Sequence, residues 1–270
     1  MKKSTLSLII FLSFYNVSHA ENINIYADNK VEVHQNEQKI VAIGNAVANK
    51  QDNTIYADEM SAYYTKNSAG KTEFKTLHAK GNVRAISPTS KAYGNTMDYD
   101  LEKEEIILIG KPAKIETNKG EIITAEDKII YYPNQQKAIA TGNVVAKDKE
   151  NTIYSDKMIS YFEKNANGDL EMKHVDIYDN VKIVTPQATA TSLKGNYMPN
   201  QSLVHLYDDV VINQDGNILK GDYAETNLKT GISRMISKQK RVSGVFKEKE
   251  KEKAPSKEKS PNSGLKENAK

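Results

Sequence analysis

The sequence predicts an all-β protein of two facing, open antiparallel sheets built from internal repeats. Three observations lead there. Apolar and polar residues alternate with period two in many segments. Val, Ile, Thr and Tyr dominate those segments, which favours strands over helices. A block of 98 residues also occurs twice, with residues 25–64 aligning without a gap to residues 123–162 and 18 of 40 positions identical.

Taken in chain order, the first twenty residues read as a signal peptide. Lys2 and Lys3 precede an apolar run over residues 6–17, and Ser18-His19-Ala20 supplies a small-x-small cleavage site before Glu21. The run is shorter than the roughly 20 residues that span a bilayer. An uncleaved anchor is the alternative. The chain contains no Cys, so disulfides, thiolate metal sites, thiol nucleophiles and a lipidated N-terminal Cys all drop out.

Residues 21–246 form the expected globular body. Leu77, Ala79, Gly81, Val83 and Ala85 share one face of a strand, while His78, Lys80, Asn82 and Arg84 share the other. The pattern apolar-x-Gly-Asn-x-Val recurs at residues 42–47, 79–83 and 140–145, with degenerate forms at 110–115, 178–183 and 207–212. The spacings run from 29 to 37 residues. A second segment, of the type Ile-x-Ala-acid-x-apolar, follows at residues 55–63, 123–131 and 153–161. In it Ala57 and Met60 are three apart, as are Ser155 and Met158, so a bulge is expected between them. The Gly-Asn pairs read as glycines easing tight strand packing or twist.

One period is then two strands and two turns. If each period adds one strand to each sheet, about seven layers give a body roughly 35 Å tall. Nothing in the pattern closes a barrel, so both end strands are expected as open edges. A parallel β-helix is the runner-up, but its rungs are usually shorter than this repeat.

Catalytic chemistry is hard to place on this pattern. Asp28, Asp58, Glu126, Asp156 and Asp222 recur with the repeat, which suits a bulge or turn position better than an active site that occurs once. His34, His78, His174 and His205 lack paired ligand spacing, and no Gly-rich phosphate loop is present. No catalytic residue, metal or cofactor is therefore expected. The body carries a net charge of about −2 once the leader (+2) and the tail (+3) are removed from the overall +3, so nucleic acid is not an expected partner.

Residues 247–270 hold eight Lys, five Glu and one large aliphatic residue, Leu265. Such a stretch buries too little apolar surface to offset ordering entropy and reads as a disordered charged tail.

The repeated Gly-Asn-x-Val and Ile-x-Ala-Asp segments, with Gly110-Lys111-Pro112-Ala113 and the closing Lys240-Arg241-Val242, resemble the OstA-like superfamily of lipopolysaccharide-transport proteins. The resemblance covers nearly all of residues 23–246. It implies a twisted, open β-jellyroll in the periplasm that binds lipid A acyl chains of lipopolysaccharide between its sheets. It further implies a non-enzymatic bridge from inner to outer membrane, assembled end to end with itself. OstA-like partners would be an inner-membrane anchored protein and the outer-membrane translocon. The chain lacks the anchor and the large barrel expected of those two, and is longer than the soluble member.

On that reading the inward face supplies the lipid groove, with Met60, Leu77, Val83, Val144, Met158, Val175 and Val181 as candidates. Ile23, Ile25 and Val31 at one end, and Val242 and Val245 at the other, are candidates for edge-strand assembly. The competing class is a structural or adhesive β-repeat protein of the envelope with a dry, filled core. For the tail, deletion of residues 247–270 is expected to leave the circular dichroism and melting temperature of the body nearly unchanged. A large drop in melting temperature would mean that the tail packs on the body.

Overall fold

The computed structural model describes residues 23–166, 170–237 and 241–246. The leader, the charged tail and Lys240 lie outside the described residues. Fourteen antiparallel rungs, each hydrogen-bonded to the next, make up the described body. β1 (Asn24–Tyr26) and β2 (Lys30–His34) form the first rung. β3 (Lys39–Lys50), β4 (Asn53–Lys66), β5 (Thr72–Ile86) and β6 (Ser90–Asp100) are the next four. β7 (Glu105–Ile109) with β8 (Ala113–Thr117), then β9 (Ile122–Ala125) with β10 (Lys128–Tyr132), make the sixth and seventh. β11 (Lys137–Lys147), β12 (Thr152–Lys164), β13 (Leu170–Val184), β14 (Ala188–Met198), β15 (Leu203–Gln214) and β16 (Asn217–Asn227) continue the stack. β17 (Ser233–Ile236) and β18 (Ser243–Val245) close it.

Every rung bends once near its middle, and the register of the ladder shifts there. β4 pairs with β5 as Tyr56 with Arg84, then as Glu59 with Lys80, across such a shift. The strand runs on past the bend, so one half of each rung joins wall I and the other half joins wall II. Wall I contains Lys39, Met60, Leu77 and Met97; wall II contains Ala48, Ile55, Ala85 and Ile115. The two walls face each other across a single apolar core, so the cross-section is a V. The bends form its floor and the turns its two rims.

This geometry corrects the layer count. A period of two strands adds two layers to each wall, because each strand contributes to both. Fourteen rungs at about 4.8 Å give a body about 60 Å tall, not 35 Å. The β-helix alternative also fails, since all the ladders are antiparallel.

The bend has a local chemical cause. Gly81 and Asn82 both occupy the left-handed region, at φ +76° and +45°. The same pairing occurs at Gly44-Asn45 and Gly142-Asn143. In the degenerate copies, Asp179-Asn180 and Asp208-Asp209 take its place, also at positive φ. Asn and Asp are the non-glycine residues that best tolerate this region, which explains how the motif degenerates without losing the bend. The Gly-Asn pairs therefore turn the chain from one wall to the other, beyond merely easing packing or twist.

On the neighbouring rung a carboxylate accepts a hydrogen bond from the Asn side chain. Asn45 donates to Asp28 at 2.7 Å, Asn82 to Asp58 at 3.0 Å, Asn143 to Glu126 at 2.7 Å and Asn180 to Asp156 at 2.7 Å. The fifth recurrent acid, Asp222, accepts from Ser237. Other bonds also repeat at the 98-residue interval: Asn67 donates to Glu73 and Asn165 to Glu171, both at 2.9 Å. The turns at the wall II rim are closed by side chains, as where Asp148 accepts the backbone N–H of Glu150 at 2.7 Å.

The end strands expected around Ile23, Ile25 and Val31 and around Val242 and Val245 each belong to a rung in two pieces. The first rung is broken by its own bend at Asp28 and Asn29, whose N–H groups donate to Gly44 and Ile43. The last rung is also in two pieces, and its wall I half is β17. Among the described residues, β1 and β2 pair only with β3, and β17 and β18 only with β16.

Gly81, at a bend, and Gly120, in the rim turn between β8 and β9, separate the two costs of replacing a glycine at positive φ. Gly120 lies at φ +85° with open space around it, whereas a Cβ on Gly81 would sit 2.8 Å from Asp58 Cγ. Gly120→Ala is expected to cost about 1–2 kcal/mol from the backbone alone. Gly81→Ala should cost about 1–3 kcal/mol more, from displacing the carboxylate. Urea unfolding of both variants checks this; equal losses would mean that the bend does not depend on the Asp58 contact.

Candidate functional site

The interior of the V is the candidate site, and depth within it separates two kinds of residue. Near the floor, small and β-branched side chains from both walls meet and exclude solvent. Val83, Val144 and Val181 are fully buried there. Met60, Met158 and Val175 are buried as well, Met60 beside Ala42 and Ala62. Toward the rims the walls diverge. Leu77, half-buried, belongs to this upper level.

Two clefts open at the mouth. The first, about 280 Å³, lies between rungs one and seven. Wall II contributes Ile23, Ile25, Ala48 and Ile55; wall I contributes Phe74, Leu77, Tyr99 and Leu101. Asn49, Lys50 and Glu104 stand at its rims. Burial, with Glu104 nearby, raises the Tyr99 phenol above its ordinary value, so the hydroxyl stays neutral. Asn49 Oδ1 and Glu104 Oε2 are buried without a hydrogen-bond donor among the described residues. The rim thus carries polar side chains beside an apolar wall.

The second cleft, about 550 Å³, lies toward the C-terminal end. Its deep part is Ile183, Tyr197, Val204, Leu206 and Ile212. Thr185, Gln187, Gln214, Thr226 and Lys229 make a polar rim. Each cleft therefore has an amphiphilic profile: hydrocarbon below, hydrogen-bonding groups above.

Of the groove candidates, the structure brings Leu77 to a cleft, and it places Val83, Val144, Val181, Met60, Met158 and Val175 in the packed interior beneath. Of the edge candidates, Ile23 and Ile25 also line the first cleft, while Val31, Val242 and Val245 are exposed. Sequence reasoning missed Phe74, Tyr99 and Leu101, and the whole second cleft. Their signal was distance from the Gly-Asn bend: residues closest to the turns sit at the mouth.

The outer faces are of another character. Arg84 stacks over Tyr56 at 4.3 Å and Lys114 over Tyr93 at 4.4 Å, giving cross-strand rows of aromatic rings and cations. Asp98 pairs with His78 at 2.5 Å on the outer side of wall I. Among the described residues no cluster of His, Cys, Asp or Glu is arranged to hold a metal ion, and no helix is long and apolar enough to cross a membrane.

Comparison with known proteins gives the context. The sequence family described as "LptA/(LptD N-terminal domain) LPS transport protein" matches residues 24–137 and again residues 123–232. The crystal structure of LptH, described as the LptA homologous periplasmic component of the conserved lipopolysaccharide transport device from Pseudomonas aeruginosa, is similar at 16% identity. That alignment covers 48% of this chain and 96% of LptH, with a TM-score of 0.42. No curated protein matches the chain. With the family matched twice, over residues 24–232 in all, the chain belongs to the LptA/LptD N-terminal-domain family of OstA-like lipopolysaccharide-transport proteins.

Proposed function

We propose that this chain is a non-enzymatic periplasmic carrier that holds the acyl chains of lipopolysaccharide between its walls and bridges inner and outer membranes by stacking end to end. The observation that carries the reading is the open apolar mouth of the V with its polar rims. An acyl chain laid there leaves water for hydrocarbon at about 0.8 kcal/mol per methylene, while its head group stays outside. Burial is incomplete because the groove is open along one side. Matched, incomplete burial in successive subunits allows a lipid to pass with little net change in free energy.

A transport protein needs reach as well as affinity. A body of about 60 Å whose end strands pair on one side only among the described residues is suited to extension by strand addition. Contacts of that head-to-tail kind produce open filaments. The inner-membrane anchored and outer-membrane members of the family would be the partners at the two ends. A filled-core scaffold draws its support from the tightly packed floor around Val83, Val144 and Val181. The two clefts favour carriage.

Two experiments test these parts separately. A photocrosslinking residue at Leu77 is expected to capture glycolipid in cells, while one at the outward Lys80 is not. Equal labelling at both positions would remove the interior groove. For the bridge, Val245→Pro deletes a backbone donor from an exposed edge residue and fixes φ. Light scattering should show concentration-dependent assembly of the parent and its loss in the variant, with an unchanged circular dichroism spectrum. A variant that assembles as the parent does would exclude this edge as the joint.

A further inference from the structure

Resting on the lipid reading above, we infer that the groove is not one continuous channel but two separate acyl stations divided by a closed partition. The first station is the cleft of about 280 Å³ in rungs one to seven, and the second is the cleft of about 550 Å³ beyond it. Both approach or fall within the roughly 300–1,000 Å³ usual for small-ligand sites. Between them the mouth of the V is shut. Tyr131, which also forms the end wall of the first cleft, and Phe162, Leu170 and Met172 fill it, with exposures of 5%, 4%, 7% and 1%. Tyr131 and Phe162 meet edge to face, with centroids 6.5 Å apart and planes at 80°. Such a pair gains from ring geometry as well as from burial.

The internal repeat acts as a control. Shifting by 98 residues takes Phe74, Leu77 and Tyr99, which line the first cleft half-buried, to Met172, Val175 and Tyr197. Met172 and Val175 are 1% and 5% exposed and line neither cleft, whereas Tyr197 forms part of the second cleft's deep wall. The second copy is thus closed at Met172 and Val175, where the first is open. Two other positions explain the difference. Val33 and Thr72, both exposed in the first copy, correspond to Tyr131 and Leu170, whose bulk occupies the gap. The second station then opens beyond the partition, where walls from rungs ten to thirteen diverge again.

Hydrocarbon suits both stations better than peptide. Their walls are sheet faces, whose backbone N–H and C=O groups are committed to the wall's own ladders. A peptide laid inside would bury its own backbone groups without partners, whereas an acyl chain has none to satisfy. The occupant of each station is therefore one acyl-bearing amphiphile, its polar end at the Lys50 and Glu104 rim or at the Gln214 and Lys229 rim.

The test uses palmitic acid with a diazirine on its chain, mixed with the full protein. Native mass spectrometry counts bound molecules, and irradiation followed by peptide mapping locates them. The parent should bind two equivalents, with labels in two groups, one around residues 74–101 and one around residues 183–228. Leu77→Trp should lose the first group and fall from two equivalents to one. Ala190→Trp, at a half-buried wall II position of the second cleft, should do the reverse. Label mapping on the parent carries the result even if a variant fails to fold. A single equivalent with labels running through Phe162 and Met172, or loss of both groups in a Leu77→Trp variant that keeps the parent's circular dichroism, would overturn the partition. Absence of binding, or labels confined to the outer faces, would overturn the lipid reading itself.

Discussion

The structure depends on the bend in each rung, held at five rungs by a left-handed pair of Gly-Asn, Asp-Asn or Asp-Asp and at four of these by a carboxylate on the neighbouring strand. A straight ladder of fourteen strands would make one long twisted sheet with no inside. Because each rung turns at the same place, the sheet becomes two walls facing each other. The Asn82 to Asp58 bond, and its counterparts at Asn45, Asn143 and Asn180, tie neighbouring bends together in pairs along the floor. Each such bond, to a charged acceptor, is worth about 3 kcal/mol at most. Its importance is geometric, since it fixes where the register slips and therefore which residues face inward on both sides of the slip.

Much of this was legible in the sequence. Parity along residues 77–85 identified the inward face, and the three-residue step from Ala57 to Met60 located an irregularity that the register does contain. The recurrence of Asp28, Asp58, Glu126 and Asp156 marked structural positions, each of which now has an Asn donor. Parity alone could not tell a bulge within one sheet from a bend between two. Both put the same side chains inward, and only the sign of φ at consecutive residues separates them. The layer count failed for that reason.

Depth was the second thing the pattern could not give. Val83 and Leu77 lie on the same face of β5 with the same periodicity, yet one is fully buried at the floor and the other lines a cleft. The difference comes from how far each lies from the bend, and from what the opposite wall places across from it. Substitutions at a few positions then matter more than the repeat itself. With Tyr131 where the first copy has Val33, and Leu170 where it has Thr72, one repeat is closed and the other open.

On the proposed reading, binding in an open V is partial, and partial burial is what a carrier that releases its cargo requires. The account's central claim is that hydrocarbon occupies the mouth of the V. Native mass spectrometry of the full protein, purified from envelope membranes without lipid addition, addresses it most directly. The account predicts a population carrying the mass of an acylated glycolipid, diminished when Leu77 is replaced by Arg. A bare protein mass throughout, or an adduct unaffected by that replacement, would contradict it.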